Sequence, residues 1–403
     1  MPPTPDSHPA SFMPINSSAL TLPAPPSDLA RLSQTLENRI AQTVRERGAI
    51  SLADYMRMAL YEPGLGYYQN GLIKFGTEGD FVTAPEQGSL FATGLARQID
   101  QLSAEWPEGW TLLELGAGRG VLARDLLMTM ARPPDRYLIL DTSPNLRQVQ
   151  MTTLSALPDN LGRRIEWLTN PPADSFRGVI LANEVMDALP VWGFEVGEEG
   201  VLERVVTLNE DRLTWSTRPV SGRLAAASDR LLKGLPWGLP VGYQSEISVD
   251  LPGWIKTVTE PLTQGLALFI DYGYAASEYY HPDRNRGTLV CHYRHRAHFD
   301  PFLWPGLTDL SSFVDFSLAA EAGHQAGLDV AGFTTQAGFL LSLGVHDLLE
   351  QANSEFDRLR LAGELKRLTL PGEMGEKFKV LALTRGLDTP LEGFQLIDQL
   401  DRL

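Results

Sequence analysis

Only one cysteine, Cys291, occurs among the 403 residues of this chain. That excludes an internal disulfide and any zinc site built from several cysteines, and it fits a reducing compartment. Basic residues are scarce too: 34 Lys and Arg stand against 50 Asp and Glu, a formal net charge of −16. Such a balance argues against a nucleic-acid or anionic-membrane surface, which needs a basic patch, and suits a basic partner. No apolar run reaches the length of about 18 residues that a membrane-spanning helix requires. The first Lys or Arg is Arg31. Secretory signals open on basic residues and mitochondrial presequences are rich in arginine, so the expected location is the cytoplasm. Histidines number seven, and His292, His295 and His298 follow one another at a spacing of three. Arg294 and Arg296 are interleaved and would repel a cation, so no metal is expected there. His295 is read instead as a contact to substrate from a loop.

What is present is an ordinary apolar content of 43 % and enough length for a large core, with two or three domains or one decorated domain. The organising stretch is Thr111-Leu-Leu-Glu-Leu-Gly-Ala-Gly-Arg-Gly-Val121. Leu112, Leu113 and Leu115 suit a buried parallel strand, and Leu122, Leu126, Leu127 and Met130 recur at helical spacing after the glycines. Strand, glycine loop and helix form a place where a ligand can approach the backbone and meet free helix N–H groups. A dinucleotide fingerprint spaces its glycines G-x-G-x-x-G. Here the spacing is G-x-G-x-G, with Glu114 two residues ahead of Gly116. This form resembles motif I of the class I S-adenosylmethionine (SAM) methyltransferases. Tyr137-Leu-Ile-Leu140 reads as the next strand, and its end residue Asp141 can accept both ribose hydroxyls of an adenosine.

Elsewhere, Leu32, Leu36, Ile40 and Val44 mark a helix, and Ser51 caps a second one with Asp54 three residues on. Strands are expected at 165–168, 178–183, 269–273, 330–334 and 378–384, and a hairpin at 204–217 turning at Asn209-Glu-Asp211. About 75 residues separate the fourth and fifth sheet strands, far more than one crossover helix needs, so an inserted α+β layer is expected over the carboxyl edge of the sheet.

Six stretches together resemble the MidA-like family of SAM-dependent methyltransferases: Gly79-Asp-Phe-Val-Thr-Ala-Pro85, Glu114–Gly120, Ser143-Pro-Asn-Leu-Arg147, Ala182-Asn-Glu-Val-Met-Asp-Ala-Leu-Pro-Val191, Phe269-Ile-Asp-Tyr-Gly273 and Glu373–Val380. The family includes a mitochondrial protein arginine methyltransferase that assists respiratory complex I assembly. The resemblance implies an α/β fold: a Rossmann-like sheet of seven strands, the last antiparallel, with an N-terminal helical segment. On that reading residues 1–27 are a disordered lead and 28–107 a helical and glycine-rich lid segment. Residues 108–191 and 263–390 are the methyltransferase core, and 192–262 an inserted substrate subdomain. Asp141 stands where the family more often has Glu, and Gly-Ala-Gly replaces the frequent Gly-Pro-Gly.

The resemblance implies SAM as cofactor, held by Gly116, Gly118, Gly120, Glu114, Asp141 and Asn183, with Asp80 and Thr83 closing over it. It implies a protein substrate, a complex I subunit among the candidates, methylated on arginine. A guanidinium stays charged at neutral pH, so paired carboxylates suit it as a clamp. Glu184 is the first candidate for that clamp, with Asp187 or Glu195 as its second member. Two alternatives stay open: a small-molecule methyltransferase, and a SAM-binding assembly chaperone with secondary catalysis. The oligomeric state is open, a homodimer included.

Overall fold

The structure, a computed structural model, describes residues 22–72 and 83–403. Most of the lead expected at 1–27, and Asp80 with its neighbours, lie outside the described residues; Ser27 already opens a helix.

The main sheet has seven strands: β1 (Thr111–Leu115), β2 (Arg136–Leu140), β3 (Ile165–Leu168), β4 (Phe176–Asn183), β5 (Leu262–Tyr274), β6 (Asp329–Thr335) and β7 (Phe378–Arg385). Their order across the sheet is β6-β7-β5-β4-β1-β2-β3. β3, β2, β1, β4 and β5 run parallel, and β7 enters antiparallel between β5 and β6. A two-residue strand, Val314–Asp315, adds a parallel pairing to the end of β5. The seven strands and the antiparallel last one agree with the expectation from sequence.

The physical reason for β1 is plain in its residues. Leu112 and Leu113 are fully buried on opposite faces, one in each of two cores that sandwich the sheet. Each such side chain is worth about 1.5–3 kcal/mol by removal from water. Helices α1 (Ser27–Arg47), α2 (Leu52–Tyr61) and α3 (Leu90–Ser103) precede β1 in the chain, α4 (Val121–Thr129) links β1 to β2, and α5 (Pro144–Leu154) follows β2. α2 starts where the Ser51 hydroxyl accepts the Asp54 N–H at 3.0 Å. α5 starts where the Ser143 hydroxyl accepts the Leu146 N–H, with Pro144 in the first turn.

Two elaborations sit beside the sheet. One contains the hairpin Gly200–Asn209 and Arg212–Pro219, whose turn residues Glu210 and Asp211 take φ of 48° and 62°. Gly200–Asn209 also pairs with Ile50–Ser51, so the N-terminal segment and the inserted layer share one sheet. They share a core as well: Leu36, Ile40, Val44 and Tyr55 pack with Val206. The second is a three-stranded sheet, Val290–Tyr293, Arg296–His298 and Asp309–Ser311, after β5. No period-two pattern announced it, because these strands are three or four residues long. The helix Leu251–Thr259 packs Leu251, Ile255 and Val258 on the main sheet.

Candidate functional site

A cleft of about 1030 Å³ opens at the carboxyl ends of β1, β2 and β4, where an open α/β sheet binds its ligands. Its two halves are built differently.

In the first half, the chain leaves β1 through Gly116, Gly118 and Gly120, with φ of 62°, 51° and 80°. Only glycine takes such values without strain. A Cβ on Gly116 would also come within 3.0 Å of the Val185 side chain. The loop is tied back by the Gly116 N–H to Leu140 carbonyl bond at 3.0 Å. Gly116 and Gly118 line the cleft. Gly120 instead starts α4 in the left-handed conformation, against Gln150. Asp141, at the end of β2, faces the cleft with each oxygen already steadied. Oδ1 accepts the Ser143 N–H and Oδ2 the Gln150 amide, both at 2.8 Å. Burial pushes its carboxyl up and these two donors hold it back. The Gln150 amide nitrogen also reaches the Gly118 carbonyl at 3.0 Å, and the Trp167 indole N–H donates to Gln150 Oε1. Gln150 thus locks the aspartate to the glycine loop. Glu114 lies under that loop, 3 % exposed, accepting the Tyr137 hydroxyl at 2.8 Å. Burial pushes its carboxyl up to about 7.

The fit to a nucleoside cofactor can be tested on these atoms. The loop is free of side-chain bulk, the strand-end carboxylate keeps lone pairs for hydroxyls, and among the described residues the buried Asn183 Oδ1 has no hydrogen-bond partner. An adenosyl group with an amino-acid tail meets all three. Thr83 lines the same cavity.

The second half is acidic and aromatic. Glu184, just past β4, has φ of 54°, a conformation that costs a non-glycine residue about 1–3 kcal/mol. Its Oε1 accepts the Ala84 N–H at 3.3 Å and the Asn183 amide at 3.2 Å. Burial, then the neighbouring Asp187, pushes the Glu184 carboxyl up to about 8. Asp187 is 7 % exposed; Tyr272 donates its hydroxyl to Oδ2 at 2.6 Å, and Oδ1 is buried with no partner among the described residues. Burial pushes that carboxyl up to about 6, opposed by the Tyr272 bond. Tyr61 and Tyr68 stack with centroids 5.6 Å apart and wall the cleft. The Tyr68 hydroxyl donates to Asp309 at 3.0 Å.

The structure therefore brings Glu184, Asp187, Asn183, Asp141, Glu114, Gly116, Gly118 and Thr83 to one cavity. Glu195 is not among them: its carboxylate accepts the Gln244 amide in the inserted sheet. His295 is not either. It occupies the exposed turn of the 290–298 hairpin with φ of 60° and does not line the cleft, whereas His292 does. Among the described residues no group of three His, Cys, Asp or Glu could hold a metal. Sequence reasoning missed Tyr272, Asp309 and His292 in the acceptor half. Tyr61 and Tyr68 fall within the segment expected as a helical and glycine-rich lid.

Residues 91–334 match the model of a family described as S-adenosyl-L-methionine-dependent methyltransferases. The zebrafish protein named protein arginine methyltransferase NDUFAF7, mitochondrial, is 30 % identical over 87 % of each chain. The Drosophila melanogaster homologue of that name is 28 % identical over 88 % of this chain and 85 % of its own. A crystal structure of a Burkholderia thailandensis protein bound to S-adenosyl-homocysteine superposes with a TM-score of 0.89, at 39 % identity, covering 95 % of this chain and all of that one. The zebrafish, fly and mouse relatives carry mitochondrial names, which overturns the expectation of a cytoplasmic protein. That expectation rested on the first residues of the sequence, whereas the likeness lies in the folded body of the chain.

Proposed function

The chain belongs to the S-adenosyl-L-methionine-dependent methyltransferases, and within that family we propose that it methylates arginine side chains of a protein substrate. S-adenosyl-L-methionine, its cofactor, supplies an electrophilic methyl group carried on sulfur. The glycine loop, Asp141 and Asn183 are the residues that would hold it.

One observation carries the choice of acceptor. Glu184, half-buried, and Asp187, buried, are neighbouring carboxylates, both pushed up in pKa, and among the described residues no Lys or Arg forms an ion pair with either. Like charges in a dry pocket disfavour ionisation, and an entering cation reverses that. A guanidinium fits the need: it is planar, always charged, and presents donors in a fork that two carboxylate groups can accept. Clamped this way, one nitrogen lies next to Glu184, which takes the proton the guanidinium gives up as it gains a methyl group. The Tyr61–Tyr68 pair supplies a wall on which the flat cation can stack. The names of the zebrafish and fly relatives support the same acceptor. The family's link to complex I makes a subunit of that complex the first protein to try.

The test is to incubate the purified chain with methyl-labelled S-adenosyl-L-methionine and an extract of its source cells, then hydrolyse the protein fraction. Label in methylated arginine is the expected result. Label confined to small molecules, or to another amino acid, contradicts the reading.

A further inference from the structure

Glu184 and Asp187 sit on a turn, and a turn with a left-handed glutamate does not hold itself. The whole turn is fastened by three consecutive residues of β5. The Ile270 carbonyl accepts the Glu184 N–H at 2.8 Å. Asp271 Oδ2 accepts the N–H groups of Val185, Met186 and Asp187 at 3.2, 2.9 and 3.2 Å, while its Oδ1 accepts the N–H of Tyr272 at 2.9 Å. The Tyr272 hydroxyl then takes Asp187 Oδ2. Backbone, carboxylate and hydroxyl of one strand segment thus grip four consecutive residues of another.

Asp271 is fully buried and touches no cleft space. Its burial beside Asp187 and Glu184 works against its charge. A carboxylate kept in such surroundings, with one oxygen given wholly to a single turn, calls for a reason beyond packing. The geometry points to Asp271 as the positioning residue of the acceptor half. Its carboxylate gathers three N–H groups onto one oxygen, and that convergence fixes both the positive φ of Glu184 and the direction in which Asp187 faces the cleft. This inference rests on the reading of Glu184 and Asp187 given above. It adds that their placement depends on a residue which touches neither reactant. The glycine loop and Asp141 are fastened separately, through Leu140, Ser143 and Gln150, so cofactor binding and acceptor geometry have different anchors.

The test uses the full chain with three variants, Asp271→Asn, Tyr272→Phe and Glu184→Gln. The readouts are the affinity for S-adenosyl-homocysteine by calorimetry and the rate of methyl incorporation from labelled S-adenosyl-L-methionine into proteins of the extract. Asp271→Asn keeps size but loses the charge and replaces one of two acceptor oxygens, both in use, with a donating amide. Its turnover is expected to fall about 100-fold, with S-adenosyl-homocysteine affinity within about threefold of the parent. Tyr272→Phe removes one hydroxyl and leaves the turn's backbone bonds intact. Its turnover is expected to fall about tenfold, and the acid limb of its pH–rate profile to move up, because the lost bond had favoured ionised Asp187. Asp187 is also faced by Glu184, Asp271 and the phenols of Tyr61 and Tyr68, and all of these stay in that variant. If turnover and cofactor affinity fall together in Asp271→Asn, the residue merely holds the fold and the inference is overturned. Parent-like turnover in that variant overturns it too. Should Asp271→Asn fail to fold, an unmoved profile and rate in Tyr272→Phe would overturn it. Glu184→Gln separates the two levels: if it stays active, the reading of the acidic pair has failed. If it is dead while Asp271→Asn is normal, only the positioning inference has.

Discussion

The two halves of the cleft differ in how they are made. The cofactor half comes mainly from one continuous stretch, strand to glycine loop to helix, plus the end of the adjacent strand, and its two carboxylates, Asp141 and Glu114, have partners inside the protein, while Asn183 Oδ1 beside it stays open. The acceptor half is assembled from residues 61–68, 184–188, 272 and 290–309, and among the described residues it leaves the Asp187 Oδ1 buried without a partner. A half satisfied from within binds a ligand whose chemistry the backbone can meet. A half left unsatisfied states what it lacks, and here that is a cation. The comparison also says that damage to one half should leave the other standing.

The strongest way to sharpen it is Glu184→Gln. Losing the carboxylate that clamps the guanidinium and takes its proton should lower methyl transfer by about 10³-fold, while calorimetry finds S-adenosyl-homocysteine bound as before. Asp187→Asn comes next, at about 100-fold in turnover, since one charge of the pair survives; steady-state rates check it. The mirror experiment is Asp141→Ala. It removes a charge-assisted contact worth about 1.5–3 kcal/mol, so S-adenosyl-homocysteine should bind about tenfold or more weakly, with the acceptor half untouched. An unchanged affinity would break the assignment.

A smaller effect concerns pH. The Glu184 carboxyl titrates near 8 when folded, above its ordinary value of about 4.3 in an unfolded chain. The folded state therefore holds the extra proton between those values, and its stability falls as pH rises through that window. The ligand-free protein should lose about 2–4 °C of thermal midpoint between pH 5 and 9 through this group, a slope that Glu184→Gln removes. Since kcat/KM reports the free enzyme, its acid limb should lie near pH 8, above the limb of kcat, where the bound cation favours ionised Glu184.

The same contrast explains what the sequence disclosed. The glycine spacing, Asp141 and the leucines of β1 are local signals, because the ligand contacts and the strand that carries them are neighbours in the chain. The run of strands and helices disclosed an α/β sheet but not the order of its strands, and the antiparallel β7 came from the family resemblance. Glu184 could be named because it follows a recognisable strand. Tyr272 and Asp309 could not, since their approach to Asp187 and Tyr68 is made by β5 and by a strand of three residues, contacts that join positions 85 and 241 residues apart. Spacing alone does not tell His292 from His295; the hairpin register does, placing His292 on a strand at the cleft and His295 in the turn. The pairing of Ile50–Ser51 with the inserted layer was equally hidden, as two residues carry no periodicity.

The central claim, that the acidic pair keeps one proton, on Glu184, until a guanidinium enters, is tested most directly by counting protons. An arginine-containing acceptor peptide from the labelling experiment is titrated into the S-adenosyl-homocysteine complex at pH 7, in two buffers of different ionisation enthalpy. Entry of the cation should drive Glu184 to ionise, so that about one proton is released per peptide bound and the measured heats differ accordingly. Equal heats in the two buffers would mean that no carboxyl changes its charge on binding, and would contradict the account.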